Sequence, residues 1–147
     1  MNIRSERGLA QAVIGTLCLF LLTAGALAIE AQIDLKLSIP ECKLLLYAGD
    51  RVDLPQSEIS HIILQVRPKV GAVRYGSIRV MLNGESLNRD MTVNGVDGGY
   101  DCVIEGAKGS SLPLRPHDNS IQVILTDTWN HAHEASYTIT VPAKASS

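Results

Sequence analysis

The sequence predicts an all-β domain, an antiparallel β-sandwich of seven to eight strands that follows an N-terminal signal helix. Apolar and polar residues alternate along most of the chain, which is typical of strands with one buried face. Turn-forming residues separate these runs at intervals of about 8 to 12 residues, and no segment after the leader has a helical period. Because each apolar strand face needs a partner, two packed sheets are favoured over an eight-stranded barrel.

The first 28 residues have the layout of a secretory signal peptide. Arg4 and Arg7 precede a long apolar run, and Ala26 and Ala28 form an A-x-A cleavage site. We therefore predict a cleaved signal peptide over residues 1–28. A secreted protein, periplasmic or extracellular, follows from that prediction.

The chain after the leader is short enough for one domain. We place a β-sandwich at residues 29–142 and a disordered tail at residues 143–147, whose sequence is small and polar. After cleavage no membrane insertion is expected. The alternative is an uncleaved anchor, because residues 9–29 are long enough to span a bilayer, which takes about 20 residues.

The clearest strands are the last two. The segments SIQVILTD and ASYTITV each place apolar residues on one face, namely Ile121, Val123, Leu125, Ala135, Tyr137, Ile139 and Val141. Asn130 lies between them and suits a tight turn. The two segments predict a terminal hairpin, with Asp127 bonding the backbone of its own turn.

Earlier strands follow the same pattern. They are predicted in the segments IDLKL, KLLLY, ISHIILQV, SIRVML and YDCVI, the last with Tyr100, Cys102 and Ile104 on one face. The dipeptides Asn83-Gly84 and Asn94-Gly95 are both predicted as hairpin turns. Arg67-Pro68 is predicted as a further turn between strands.

Two cysteines remain after the leader, Cys42 and Cys102. An even pair in an exported chain favours a disulfide, which we predict. A free buried thiol is the alternative. A metal site would need more Cys or His at ligand spacing, and a nucleophile would need a partner base.

Charge and composition exclude several classes of function. The formal net charge is -2 at pH 7 and basic residues form no dense cluster, so nucleic acid is not an expected partner. No phosphate loop, dinucleotide turn or nucleophile elbow occurs. We therefore predict a protein without enzymatic activity, catalytic residues or cofactor.

The stretch LPLRPHDNSIQVILTDTWNHAHEASYTITV resembles the last two strands of bacterial immunoglobulin-like domains. SIRVMLNG is similar to the mid-domain strand of that group, which ends in an Asn-Gly turn. The matching positions are Leu114, Asn119, Ile121, Val123, Asp127 and Tyr137 through Val141. The resemblance, which covers roughly residues 59 to 142, implies an immunoglobulin-like or cadherin-like β-sandwich and says almost nothing about function.

Candidate ligand residues are few. His131 and His133 would share one face of a strand and could grip a metal, but they are predicted in a turn with no third ligand nearby. We interpret them as turn histidines and predict no metal site. Asp90, Asp97 and Asp101 form a loose acidic group that lacks the pattern of a calcium loop, so turn-forming roles are favoured.

Trp129 is the one large aromatic residue at a predicted loop tip. It is either a hydrophobic plug, which is the favoured interpretation, or an exposed binding anchor. The second possibility makes Trp129, Asn130, His131 and His133 the candidate binding residues. The sequence thus predicts a non-catalytic binding or adhesion module for an unknown protein or glycan. The alternatives are a structural subunit or spacer of a cell-surface assembly and, more weakly, a periplasmic metal-binding protein that uses the two histidines.

Overall fold

The computed structural model describes residues 30–142. This part of the chain forms ten strands, and its helical segments are single 3-10 turns of three residues. The predicted signal peptide and the predicted tail lie outside the described residues.

The strands form two five-stranded sheets. The first sheet has the order β2-β1-β4-β8-β7. Its strands are β1 (Gln32–Ile39), β2 (Leu44–Tyr47), β4 (His61–Val70), β7 (Met91–Val96) and β8 (Gly99–Glu105). The second sheet has the order β3-β10-β9-β5-β6. Its strands are β3 (Arg51–Asp53), β5 (Arg79–Leu82), β6 (Glu85–Ser86), β9 (His117–Thr126) and β10 (Ala132–Val141).

The structure confirms the all-β sandwich, with two differences from the prediction. It contains more strands, because β3 and β6 have only three and two residues and are too short to show an alternating pattern. The pairing is antiparallel apart from β3, which runs parallel to β10. The assignment to the immunoglobulin-like or cadherin-like group in particular stays a prediction.

One hydrophobic core lies between the sheets, built from the alternating residues that the sequence indicated. All the predicted inward residues of the last two strands are at most 6% exposed. Tyr137 is 1% exposed, and its hydroxyl donates a hydrogen bond of 2.8 Å to the carbonyl oxygen of Leu35 in the other sheet. This bond ties β10 to β1 across the core.

Two of the predicted turns are confirmed. Asn83 and Gly84 have positive φ values of 52° and 87° and connect β5 to β6. Asn130 has a φ of 68° in the connection from β9 to β10, and these two strands pair along their whole length. The terminal hairpin is therefore as predicted.

The predicted turn at Asn94-Gly95 is wrong, because both residues lie inside β7. The chain turns instead at Asp97 and Gly98, next to the closing pair of the β7–β8 ladder. This register sets Val93 opposite Cys102 and Met91 opposite Ile104. Apolar residues of the two strands therefore face each other on the core side of the sheet. This pairing favours the turn at Asp97 and Gly98 over the turn at Asn94 and Gly95.

The predicted turn at Arg67-Pro68 is also wrong, because β4 continues through both residues. Proline has no N–H group and is normally excluded from central strands. Here the ladder between β4 and β8 ends at the pair Val66 and Tyr100, before Pro68 is reached. On the other side of β4, Pro68 pairs with Ile33 of β1, next to the register shift between Gln32 and Ile33, so it occupies an irregular place in that ladder.

The predicted disulfide is not formed, and Cys42 and Cys102 are both free thiols. Cys102 pairs with Leu64 of β4, and Leu64 pairs with Leu37 of β1. Two strand spacings, roughly 9 to 10 Å, thus separate Cys102 from β1. Cys42 lies farther along the chain, in the turn that follows β1. Its neighbour Glu41 contacts Ser60, which lies before Leu64 in the chain by four residues, about 13 Å in an extended strand. A disulfide needs Cα atoms within about 7 Å, so the two cysteines lie at different levels of the sheet.

Candidate binding surface

Aromatic and apolar side chains are exposed where three strand connections meet at one end of the sandwich. We define the loop-end patch as the exposed residues Tyr75, Val96 and Trp129 together with Tyr100, which is partly buried against the core. Tyr75, Val96 and Trp129 are 62, 38 and 46% exposed, respectively. A shallow groove of about 480 Å³ lies beside Val96 and Tyr100 and is bordered mainly by glycine and small apolar residues. The patch therefore combines protruding rings with a concave surface.

Trp129 is exposed at the turn between β9 and β10, so the interpretation as a hydrophobic plug is wrong. Its indole ring leans on Gly71 in the connection from β4 to β5, where an ideal Cβ atom would lie 3.4 Å from the ring carbon Cζ3. The core does not receive the ring because the inward positions of the flanking strands are already filled, by Leu125 and Ala135 among others.

Tyr75 and Tyr100 form the second part of the patch. Their ring centroids are 6.0 Å apart, with the ring planes inclined by 36°. Tyr75 lies in a 3-10 turn before β5, and Tyr100 lies at the start of β8. Tyr75 is not among the binding residues predicted from the sequence. One sequence feature could have identified it as a surface residue. Tyr75 is an aromatic residue that lies outside any alternating segment and close to Gly71 and Gly76.

Asp127 holds the Trp129 turn in place, as predicted from the sequence. The side chain of Asp127 is fully buried. Its Oδ1 accepts hydrogen bonds from the backbone N–H groups of Trp129 at 2.7 Å and His131 at 3.0 Å. Its Oδ2 lies 2.8 Å from Nε2 of His133. The turn that carries Trp129 is thus fixed by one buried carboxylate.

The same contacts decide the ionisation of Asp127. Burial acts to raise the pKa of this carboxyl, but the hydrogen bonds from His131, His133 and Trp129 outweigh burial and lower the pKa from 3.8 to about 2. The carboxylate therefore stays charged inside the protein, because the surrounding donors favour the charged form.

Replacing Asp127 with Asn should make the domain less stable at neutral pH and remove part of its acid sensitivity. The folded-state pKa of Asp127 lies below the unfolded value, so its ionisation stabilises the fold above about pH 4 and loses that effect as the pH falls toward 2. We expect the difference in thermal midpoint between wild type and Asp127→Asn to be large at pH 7 and small near pH 2. The other acidic groups are the same in both proteins and do not account for a change in this difference. A difference in thermal midpoint that stays constant between pH 7 and pH 2 would therefore contradict stabilisation by the ionised Asp127.

The predicted binding residues beside Trp129 surround the same carboxylate. Asn130 is exposed and donates its N–H to the Asp127 carbonyl at 3.0 Å. His131 is exposed with Nδ1 3.8 Å from Asp127 Oδ2, and His133 is partly buried. Among residues 30–142 the structure contains no group of three or more His, Cys, Asp or Glu side chains that could hold a metal ion.

The acidic residues considered for calcium are not brought together. Asp90 and Asp97 lie just outside the two ends of β7, and Asp101 forms an ion pair of 2.7 Å with Arg67. Asp101 therefore helps to join β4 and β8, and the three carboxylates do not form one site.

A polar cluster that was not predicted from the sequence lies at the start of β4. Ser60 donates its hydroxyl to Glu41 Oε2, and its Oγ lies 3.0 Å from Nδ1 of His61. The hydrogen bonds from the side chain and backbone of Ser60 lower the pKa of Glu41. In a hydrolytic triad the histidine stands between the serine and the carboxylate, whereas here the serine stands between the other two. This arrangement does not form a triad.

The fold and the surface define this chain as a β-sandwich domain that presents an aromatic patch at one end. No protein-family model matches the chain, and no curated protein matches it. Among solved structures, the crystal structure of CopC from Methylosinus trichosporium OB3b is similar, with 15% sequence identity and a TM-score of 0.42. The similarity covers 68% of this chain and 89% of that chain.

Residues 30–142 contain no helix with the length and hydropathy needed to cross a bilayer.

Proposed function

We propose that this chain is an exported, non-catalytic binding module that captures a protein or glycan partner through the loop-end patch. The observation that supports the proposal most directly is the position of Trp129. A ring that is 46% exposed is held on a turn fixed by the buried Asp127 carboxylate.

The patch has the physical properties of a binding anchor. Trp and Tyr are enriched among the residues that dominate binding energy, because they bury a large area on association. A turn that is already ordered loses little conformational entropy when a partner binds. Tyr100 borders the same groove as Gly71, on which the ring of Trp129 leans, and Tyr75 lies next to Tyr100, so one partner seated on this groove would meet several rings.

Replacing Trp129 with Ala should abolish most of the binding and leave the stability nearly unchanged. An anchor of this kind accounts for a roughly tenfold or larger loss of affinity. An exposed side chain usually contributes within about 0.5 kcal/mol to stability. Wild-type and variant proteins would be immobilised, and the envelope proteins that each captures would be compared after crosslinking. Binding of the same proteins to glycans would be compared on a glycan array.

Tyr47 offers a matched control for this experiment. It is an aromatic residue that is 55% exposed, and it lies on edge strand β2 outside the loop-end patch. Tyr47→Ala should capture the same partners as wild type. Equal capture by wild type, Trp129→Ala and Tyr47→Ala would refute the proposal.

A second candidate function is a structural subunit or spacer in a cell-surface assembly. The observation that favours it is the open side of edge strand β7, which ends the first sheet.

A further inference from the structure

A polar cavity of about 470 Å³ lies at the end of the sandwich opposite the loop-end patch. It is bounded by the hairpin from β5 to β6, by the 3-10 turn Asn88–Asp90 and by the connection from β8 to β9. Strand β5 follows Tyr75 and strand β8 contains Tyr100 near its start, and both strands end at the cavity. The volume lies in the range of small-molecule sites, roughly 300 to 1,000 Å³.

Charged side chains of both signs border this cavity. They are Glu85, Arg89, Asp90, Glu105 and Arg115. Within residues 30–142 none of the five forms an ion pair. A guanidinium group only donates hydrogen bonds and a carboxylate only accepts them. The cavity therefore offers a ligand both kinds of hydrogen-bonding group, free of competition from partners within the protein.

A buried asparagine fixes the wall that carries Arg115. Asn119 is fully buried, and its Oδ1 accepts a hydrogen bond of 2.9 Å from the backbone N–H of Arg115. Its Nδ2 donates to the carbonyl oxygen of Arg115 at 2.8 Å. The same Oδ1 accepts a bond of 2.9 Å from Nδ2 of Asn83, in the turn between β5 and β6. One side chain thus joins two of the segments that bound the cavity.

A second asparagine fixes the turn that carries Arg89 and Asp90. Asn88 Oδ1 accepts a hydrogen bond of 3.0 Å from the N–H of Val80, and its Nδ2 donates to the carbonyl oxygen of Ile78 at 2.7 Å. These bonds attach the turn to β5. The cavity is therefore formed before any ligand arrives, which lowers the entropic cost of binding.

The lining of the cavity indicates the class of ligand. Two guanidinium groups beside three carboxylates favour neither a strongly anionic nor a strongly cationic ligand. A hydroxyl group suits both, because it can accept a hydrogen bond from a guanidinium and donate one to a carboxylate. Leu82, Leu87 and Pro113 also border the cavity, and they offer an apolar surface to the C–H groups of a sugar ring.

We propose that this cavity binds a neutral sugar unit of an oligosaccharide. Arg89 and Arg115 donate hydrogen bonds to its hydroxyl oxygens, and Asp90 and Glu105 accept hydrogen bonds from its hydroxyl groups. This glycan site is separate from the loop-end patch and does not depend on it. The domain would then carry one binding surface at each end.

An array of neutral and acidic oligosaccharides tests the proposal with protein expressed from the full-length sequence. The wild-type protein should bind at least one neutral oligosaccharide. Raising the salt concentration should leave that binding nearly unchanged, since salt screens interactions between charges. Binding of no neutral oligosaccharide, or binding that falls steeply with salt, would overturn the proposal.

Arg89→Ala tests the cavity directly. Arg89 is exposed, so the thermal midpoint should hold, while the loss of hydrogen bonds from a charged donor should weaken oligosaccharide binding roughly tenfold or more. Arg79→Ala is the matched control, because Arg79 is exposed on β5 and does not border the cavity. Equal binding by the two variants would contradict a site at Arg89.

Trp129→Ala distinguishes the two binding surfaces. Binding to the neutral oligosaccharide should be the same in Trp129→Ala and wild type, because Trp129 lies at the other end of the sandwich. Loss of that binding in Trp129→Ala, with full binding by Arg89→Ala, would assign the glycan to the loop-end patch and refute the cavity. Failure of this glycan site and failure of the proposed loop-end surface are therefore separate results.

Discussion

Replacing Tyr137 with Ala is expected to lower the free energy of unfolding by about 4 kcal/mol, as is typical when a large buried aromatic side chain is removed. Tyr137 is 1% exposed, and its ring fills the space between the sheets. The variant also leaves the carbonyl oxygen of Leu35 without its 2.8 Å hydrogen bond. Urea unfolding monitored by fluorescence or circular dichroism would measure the change.

Tyr137→Phe separates the two contributions. The ring remains and only the hydroxyl is lost, so a decrease of about 1 kcal/mol is expected. If the Ala and Phe variants were equally stable, the ring of Tyr137 would contribute nothing to the core and the two sheets would not pack as described.

Gly99→Ala is expected to destabilise the domain by about 3 kcal/mol, because the added methyl group must displace backbone. An ideal Cβ atom at Gly99 would lie 1.9 Å from the carbonyl oxygen of Val66, and 3.1 Å from Cδ of Pro68. Relief of this clash requires β8 to move away from β4 at the place where their ladder ends. Thermal unfolding would show a midpoint well below that of wild type.

Gly95→Ala is the matched control in the same hairpin. Its Cβ atom would enter open space, so the variant should be as stable as wild type or slightly more stable. Equal destabilisation by the two substitutions would show that the close approach of Gly99 to β4 is not the cause.

Much of the fold could be predicted from the sequence because strand alternation is a local signal. Tyr137 and Ile139 lie on the buried face of β10 as the pattern indicated. Turn positions were less certain, since Asn83-Gly84 forms a turn and Asn94-Gly95 does not. The same dipeptide forms a turn in one place and part of a strand in the other. The second result depends on the pairing of β7 with β8, which is a non-local effect.

The candidate site was predictable only in its local part. Asp127 and Trp129 belong to one turn, so their roles follow from neighbouring residues. Tyr75 and Tyr100 come together through the packing of separate strands, which no local pattern encodes. The absence of a bond between Cys42 and Cys102 likewise depends on strand order.

The parallel pairing of β3 with β10 has a consequence for the order in which the chain can fold. Strand β3 finds its partner only in the last strand of the domain, and the hydrogen bond from Tyr137 to Leu35 joins residues 102 positions apart. The second sheet therefore cannot be completed until β10 is free to pair with β3. Contacts this distant in sequence slow folding, because a long loop must close before they form.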